Sequence, residues 1–162
     1  MNRDRAIQIE KNLNLLYEQL AAVEEEAALT QNPRGRMQCK QQIREQIKPE
    51  IQKYELEYFQ VLQQNVSEFA AEDVQVVLEV VAEEVERVQN QPDSYPQQIV
   101  EILQRIEATL NEPGETASGK LKGTLSLIPP LVKLSYEREL DTENFGRKYF
   151  PTFTRLLKSA KK

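Results

Sequence analysis

Apolar residues recur every three or four positions along most of the first 110 residues, and this spacing is the strongest constraint on the fold. The first stretch shows the pattern most clearly. Its apolar residues are Ile9, Leu13, Leu16, Leu20, Val23 and Ala27. Alternating steps of four and three place all of them on one face of an α-helix, as in a helix-packing seam or a short coiled coil. We therefore predict that the chain begins with a long amphipathic helix.

The same spacing predicts three more helices. A short turn at residues 30–35 separates the first helix from a second long one, predicted over residues 36–64. Because the turn is short, these two helices are predicted to lie antiparallel. Two shorter helices are predicted from about residue 67 to 90 and from about 95 to 110. Residues 1–112 are therefore predicted to form a four-helix antiparallel bundle whose first two helices are long.

The pattern changes after the bundle. Residues 113–120 are small and polar, which predicts a linker. In the runs 121–127 and 132–137 apolar and polar residues alternate, and Pro129–Pro130 lies between them. This alternation predicts two antiparallel strands joined at a proline-containing corner. The predicted fold is therefore mainly α, with a C-terminal region, residues 121–162, that holds a small β-hairpin and a terminal amphipathic basic helix.

Several catalytic and metal-binding arrangements are excluded by composition. Histidine is absent and Cys39 is the one cysteine, so Ser-His-Asp and Cys-His catalysis, histidine-bearing zinc sites and intrachain disulfides are ruled out. Residues 114–120 fit the glycine and lysine spacing of a phosphate-binding loop, but Leu121 follows the lysine where Ser or Thr would hold magnesium. We interpret Glu24–Glu26 as a solvated helix face and Cys39 as an ordinary thiol. The sequence predicts neither an enzyme nor a cofactor or metal site.

Charge is unevenly distributed along the chain, whose formal net charge is −5. Residues 113–162 contain ten Lys or Arg and five Asp or Glu, so the preceding residues carry −10. An acidic body with a basic tail predicts pairing within the molecule, between copies, or with an acidic partner. No apolar run approaches the ~20 residues of a membrane span, and the first residues lead into a charged helix instead of an apolar signal segment. We expect a cytoplasmic protein.

The C-terminal tail is the strongest candidate for a binding surface. On a helical wheel its apolar residues lie on one side and its Lys and Arg residues on the other, and aromatic residues are concentrated over 136–153. Such a helix completes the core, docks on a partner protein, or binds an anionic membrane or nucleic acid. Nucleic acid is the least favoured, because no other basic surface is predicted. The partner-binding residues that we predict are Tyr136, Phe145, Arg147, Tyr149, Phe153 and Arg155.

Two parts of the chain resemble segments of known proteins. Residues 15–24 (LLYEQLAAVE) with 39–49 (CKQQIREQIKP), and residues 120–130 (KLKGTLSLIPP) with 135–137 and 139–143, carry the resemblance. They are similar to helical segments of cyanobacterial signalling proteins, where such segments accompany NACHT-type or STAND-type signal-transduction NTPases and protease-like effectors. The resemblance implies an effector-associated accessory module whose partner is a signalling NTPase or a protease-like effector.

The leading functional hypothesis from the sequence is a non-enzymatic protein-interaction or adaptor module in a bacterial signalling or conflict system. Its docking surface would be the edge of the hairpin together with the aromatic and basic tail, since an exposed strand edge offers backbone groups for pairing. The partner would be another protein or a second copy of the chain. The alternative hypothesis is a membrane-associating element that engages anionic lipid through the hairpin and the tail.

Overall fold

The computed structural model describes residues 3–91, 95–137 and 145–159, and every regular element in these ranges is a helix, with no strand among them. The elements are α1 (Arg3–Leu29), α2 (Pro33–Gln42), a π-helical turn (Ile43–Ile47), α3 (Lys48–Gln64), a 3₁₀ turn (Val66–Glu68), α4 (Ala71–Gln89), α5 (Gln97–Leu110), α6 (Ala117–Glu137) and α7 (Phe145–Ser159). The predicted mainly α class is confirmed, whereas the predicted β-hairpin is wrong.

The turn between α1 and α2 is closed by side chains at both helix ends. The Asn32 side-chain oxygen accepts a hydrogen bond from the Arg34 N–H at 3.0 Å, and Pro33 occupies the first turn of α2, where no N–H partner is needed. The guanidinium of Arg36 donates to the carbonyl of Thr30 at 3.1 Å. These bonds satisfy backbone groups that both helices leave unpaired at their ends, and they fold α2 back along α1.

Helices α2 and α3 form one continuous helix through the π-helical turn. The N–H of Lys48 donates to the carbonyl of Ile43, five residues earlier. Pro49 follows directly and has no N–H to donate. The wider turn before Pro49 gives its ring room against the preceding carbonyls, so the helix continues past the proline.

A single hydrophobic core joins the helices. Helix α6 packs against α3, α4 and α5, while α7 packs against α4 and α1. The apolar seams predicted for the first four helices point into this core. Their buried members include Ile9, Leu13, Leu20, Ile47, Ile51, Tyr58, Val74, Val77, Val81, Val85, Ile99, Ile102 and Ile106.

Helix α6 replaces the predicted β-hairpin and also includes residues 117–120 of the predicted linker. The buried residues of α6 recur at steps of three and four rather than two; they are Leu121, Thr124, Leu125, Ile128, Leu131 and Val132. Pro129 and Pro130 lie inside the helix, and each lacks the N–H that would donate to a carbonyl one turn earlier. Burial of this face against three other helices stabilises α6 enough to offset the lost bonds.

Helix α7 also runs through an internal proline, Pro151. Phe150, which precedes this proline, is buried together with Phe153, Leu156 and Leu157. Four large side chains on one face therefore anchor the terminal helix to the bundle. Among the described helices, none combines the length and the apolar character that crossing a bilayer requires.

A helical α6 and the β-hairpin predict opposite rankings for the stability cost of truncating two neighbouring residues, Ile128 and Leu127. Ile128 is fully buried, whereas Leu127, which the hairpin would turn inward, is only half-buried. We expect Ile128→Ala to lower the free energy of unfolding by about 2–5 kcal/mol. Leu127→Ala should cost less than half as much. Urea unfolding of both variants measures the difference, and a larger loss for Leu127→Ala would contradict the helix.

Candidate functional site

Of the six predicted partner-binding residues, the structure describes the side chains of Tyr136, Phe153 and Arg155, and these three differ in exposure. Phe153 is only 1% exposed. Tyr136 is half-buried, and Arg155 is exposed on α7. The side chains of Phe145, Arg147 and Tyr149 lie outside the described part of the structure, so their predicted role stays a prediction.

Aromatic rings of α7 are packed into the bundle. The ring of Phe150 lies 5.4 Å from that of Tyr17 and 5.6 Å from that of Tyr58. The ring of Phe153 meets that of Phe59 edge to face at 5.1 Å. Contacts of this geometry add to the burial of the rings in holding α7 in place. The apolar face of α7 thus completes the core, and while α7 is docked this face cannot contact lipid or a partner.

A buried carboxylate lies beside this aromatic cluster. Glu55 on α3 is only 1% exposed. One of its oxygens accepts a hydrogen bond from the Tyr17 hydroxyl of α1, and the other accepts one from the Tyr136 hydroxyl of α6, each at 2.8 Å. A buried carboxylate without donors would destabilise the fold, so both hydroxyls reduce the cost of its burial. The three residues tie together helices that are far apart in the sequence.

A second tyrosine–carboxylate pair joins α1 to α3. The Tyr58 hydroxyl donates to Glu10 at 2.8 Å. Burial raises the pKa of the Glu10 carboxyl above its ordinary value of 4.5, and the Tyr58 hydrogen bond and the positive charge of Lys158 only partly oppose this effect. Burial and the neighbouring Glu10 carboxylate raise the pKa of Tyr58 well above 10.0. Tyr58 therefore stays protonated as the donor.

The Glu55 carboxylate is enclosed, and its hydrogen bonds hold three helices together. Glu55 was not among the residues predicted from the sequence. It stands four residues after Ile51 and three before Tyr58, on the predicted apolar seam of the second helix. A lone acid at a seam position is the pattern that could have identified it, because a buried acid requires hydrogen-bond donors from its neighbours.

Other candidate sites are exposed or incomplete. Within the described ranges, no group of three or more Asp, Glu or Cys side chains is placed to hold a metal ion. Glu24–Glu26 are exposed on α1, and Cys39 is buried. A shallow depression of about 460 Å³ opens beside the Arg5–Glu57 ion pair on the surface of α1 and α3. Four of its five lining residues are polar and Val61 is the fifth, which gives a small ligand little apolar surface to bury.

A largely exposed two-helix projection, which we call the hairpin arm, comprises residues 21–46. It comprises the end of α1, all of α2 and most of the π-helical turn. Only Val23 and Cys39 are buried in it, and α2 packs on α1 and on the π-helical turn that follows it. The large apolar side chains that are exposed in the described chain are Leu15, Leu29 and Met37, at 64%, 72% and 70%. Two of them lie on the arm. Leu15 lies on the base of the arm, the name we give to the adjoining residues 12–20 and 47–49.

Comparisons with known proteins found no similarity. No protein-family model matches the chain, no curated protein is similar in sequence, and no solved structure matches it.

Removing one of the two tyrosine hydroxyls that donate to the buried Glu55 carboxylate tests this cluster. We expect Tyr136→Phe to lower the free energy of unfolding by about 1–3 kcal/mol, because one buried oxygen of Glu55 then loses its hydrogen bond from the Tyr136 hydroxyl. Tyr54→Phe is the matched control, since Tyr54 is also half-buried and its ring keeps its contact with the Lys53 ammonium group, 5.4 Å from the centroid. Urea unfolding compares them, and equal losses would show that the bond to Glu55 contributes nothing.

The raised pKa of Glu10 predicts a pH-dependent stability. The folded state holds the Glu10 proton more tightly than the unfolded state, so this contribution is present below the ordinary pKa and is lost as the pH rises through the raised one. Glu10→Gln keeps an acceptor for Tyr58 but does not titrate. Wild type should therefore lose stability relative to Glu10→Gln between about pH 4 and about pH 7.

Urea unfolding at both pH values measures this difference, with Glu72→Gln on the exposed side of α4 as the control for the substitution itself. A gap between wild type and Glu10→Gln that does not change with pH would show that Glu10 does not titrate differently in the folded state.

Proposed function

We propose that the chain is a non-enzymatic protein-interaction module and that the hairpin arm is its docking surface. The observation that carries the proposal is the exposure of Leu29 and Met37 on an arm that buries only two of its own side chains. Single exposed apolar residues are common on protein surfaces. Here the large exposed ones of the described chain are confined to one projecting element and its base, which favours a surface for another protein.

The arm is better suited to docking than the tail. The tail aromatics Phe150 and Phe153 are packed in the core, and of the side chains described on α7, the charged ones, Arg155 and Lys158, face solvent. A surface of charge alone forms weak contacts with a partner, since exposed ion pairs contribute little. The membrane alternative has the same difficulty, because α7 would have to leave the bundle to expose its apolar face.

Part of the resemblance to cyanobacterial signalling proteins that we infer from the sequence falls on the same surface. Residues 15–24 and 39–49, which carry part of that resemblance, lie along the arm and its base. The resemblance implies an effector-associated module, and a signalling NTPase or protease-like effector is the heterologous partner that we propose. The partner surface expected from the chemistry of the arm is a helix or groove with apolar residues flanked by charge.

Capture from native lysate distinguishes the arm from the tail. We expect wild type to retain a defined set of proteins and L29Q/M37Q to lose them, because both substitutions remove apolar contact area without disturbing a buried residue. R155Q/K158Q, which alters the exposed face of α7, is the matched control and should retain them. Quantitative mass spectrometry of the bound fractions gives the comparison. If R155Q/K158Q loses the proteins while L29Q/M37Q keeps them, the tail and not the arm is the docking surface.

A further inference from the structure

Two faces of the arm and its base carry opposite charges around exposed apolar residues. One face belongs to α1 and the other to α2. Between Asn12 and Pro33 the chain contains four acids and no base, and between Glu26 and Glu45 it contains four bases and no acid. In the hairpin arm and its base, α1 therefore carries a net negative charge and α2 a net positive charge.

The acidic face of α1 is a stripe at heptad spacing. Leu15, Ala22 and Leu29 follow one another at intervals of seven, and Glu18 and Glu25 stand between them. At ~100° per residue, all five lie within an arc of about 80°. Every one of these side chains is exposed. This stripe faces away from the seam of Ile9, Leu13 and Leu20 that holds α1 to the bundle.

The basic face of α2 surrounds Met37. Arg34 and Lys40 lie within about 60° of Met37 on the helical wheel, and all three side chains are exposed. Cys39 points in nearly the opposite direction and is buried. The outer side of α2 is therefore an apolar residue flanked by positive charges, while the inner side packs on α1.

We propose that the acidic face of one copy docks on the basic face of α2 in a second copy of this chain. The inference rests on the proposed function of the arm and names its partner. Both faces combine an exposed apolar centre with charge of one sign, and the signs are opposite. Contact between them brings Leu29 and Met37 out of water and sets Glu25 and its neighbours against Arg34 and Lys40.

The geometry of such a contact determines the type of assembly. The two faces are different surfaces, so the contact is heterologous, and each docked copy still offers its own unused face. Assembly then continues to a ring or a chain of copies unless two contacts close on each other. Association should increase with protein concentration and decrease with salt, which screens exposed charges.

Charge reversal on the full-length chain tests the inference. E25K/E26K leaves two acids and two bases between Asn12 and Pro33, and R34E/K40E leaves two of each between Glu26 and Glu45. Each variant therefore cancels the net charge of one helix and reverses the sign at the side chains that we place in the contact. E25K and E26K place bases near the C-terminal end of α1, and R34E places an acid in the first turn of α2, where the helix dipole favours them. Glutamate is also a good helix former at position 40, so we expect both helices to form. Circular dichroism checks that the variants remain helical.

Sedimentation over a concentration series at low salt gives the readout. We expect wild type to self-associate, each reversed variant alone to associate about tenfold more weakly or worse, and an equal mixture of the two variants to recover association. Recovery on mixing requires the two faces to meet between copies, which a folding defect would not produce. E83K/E86K, with the same charge change on the exposed side of α4, should associate like wild type.

Three results would overturn the inference: a wild-type chain that stays monomeric throughout the series, reversed variants that associate like wild type, or a mixture that shows no recovery. A monomeric wild type that still captures proteins through Leu29 and Met37 would overturn only self-association and leave the arm as a docking surface for a different protein. Self-association without capture would overturn the heterologous partner and leave this inference standing.

Discussion

The apolar face of α6 is the constraint on which the rest of the fold depends. Leu121, Leu125, Ile128 and Val132 are fully buried, and α6 meets α3, α4 and α5 along its length. This face holds two prolines in a helix that their chemistry disfavours, because the burial of several large side chains stabilises more than the lost backbone bonds cost. Tyr136 at the end of α6 then reaches Glu55, and Glu55 binds Tyr17 of α1. A buried acid and two hydroxyls thereby hold the first helix of the chain to α6.

The first four helices could be predicted because their spacing admits one interpretation. In α4, Val74, Val77, Val81 and Val85 are all buried, as steps of three and four require. Valine favours strands by propensity, yet the periodicity and not the propensity was correct here. Periodicity did not locate the helix ends as well. The helix predicted from about residue 67 begins at Ala71, after a 3₁₀ turn that the periodicity does not reveal.

The C-terminal region could not be predicted in the same way, because two periods overlap in it. Leu121, Leu125 and Leu127 fit alternation, while Leu121, Leu125 and Ile128 fit a helix, and the short run allows both. Pro129 and Pro130 favoured the interpretation as a corner between two strands, because proline disfavours a helix interior. Contacts with α3, α4 and α5, distant in the sequence, overrode that preference. Packing against residues distant in the sequence also placed Phe153 in the core. A helical wheel of α7 alone shows an aromatic face but does not show which helices pack on it.

The hairpin arm is exposed because, unlike α6, it makes few contacts with distant helices. Its two helices meet at an interface in which Val23 and Cys39 are the buried side chains, and Cys39 is the one side chain that α2 contributes to the core. Because the two helices of the arm bury so little, they are stabilised mainly by caps such as Asn32 and by their continuity with the packed part of α1 and with α3. Its outer faces are therefore free to vary without cost to the fold. Leu29 and Met37 on those faces have no role in packing, so a surface that binds another molecule accounts for them best.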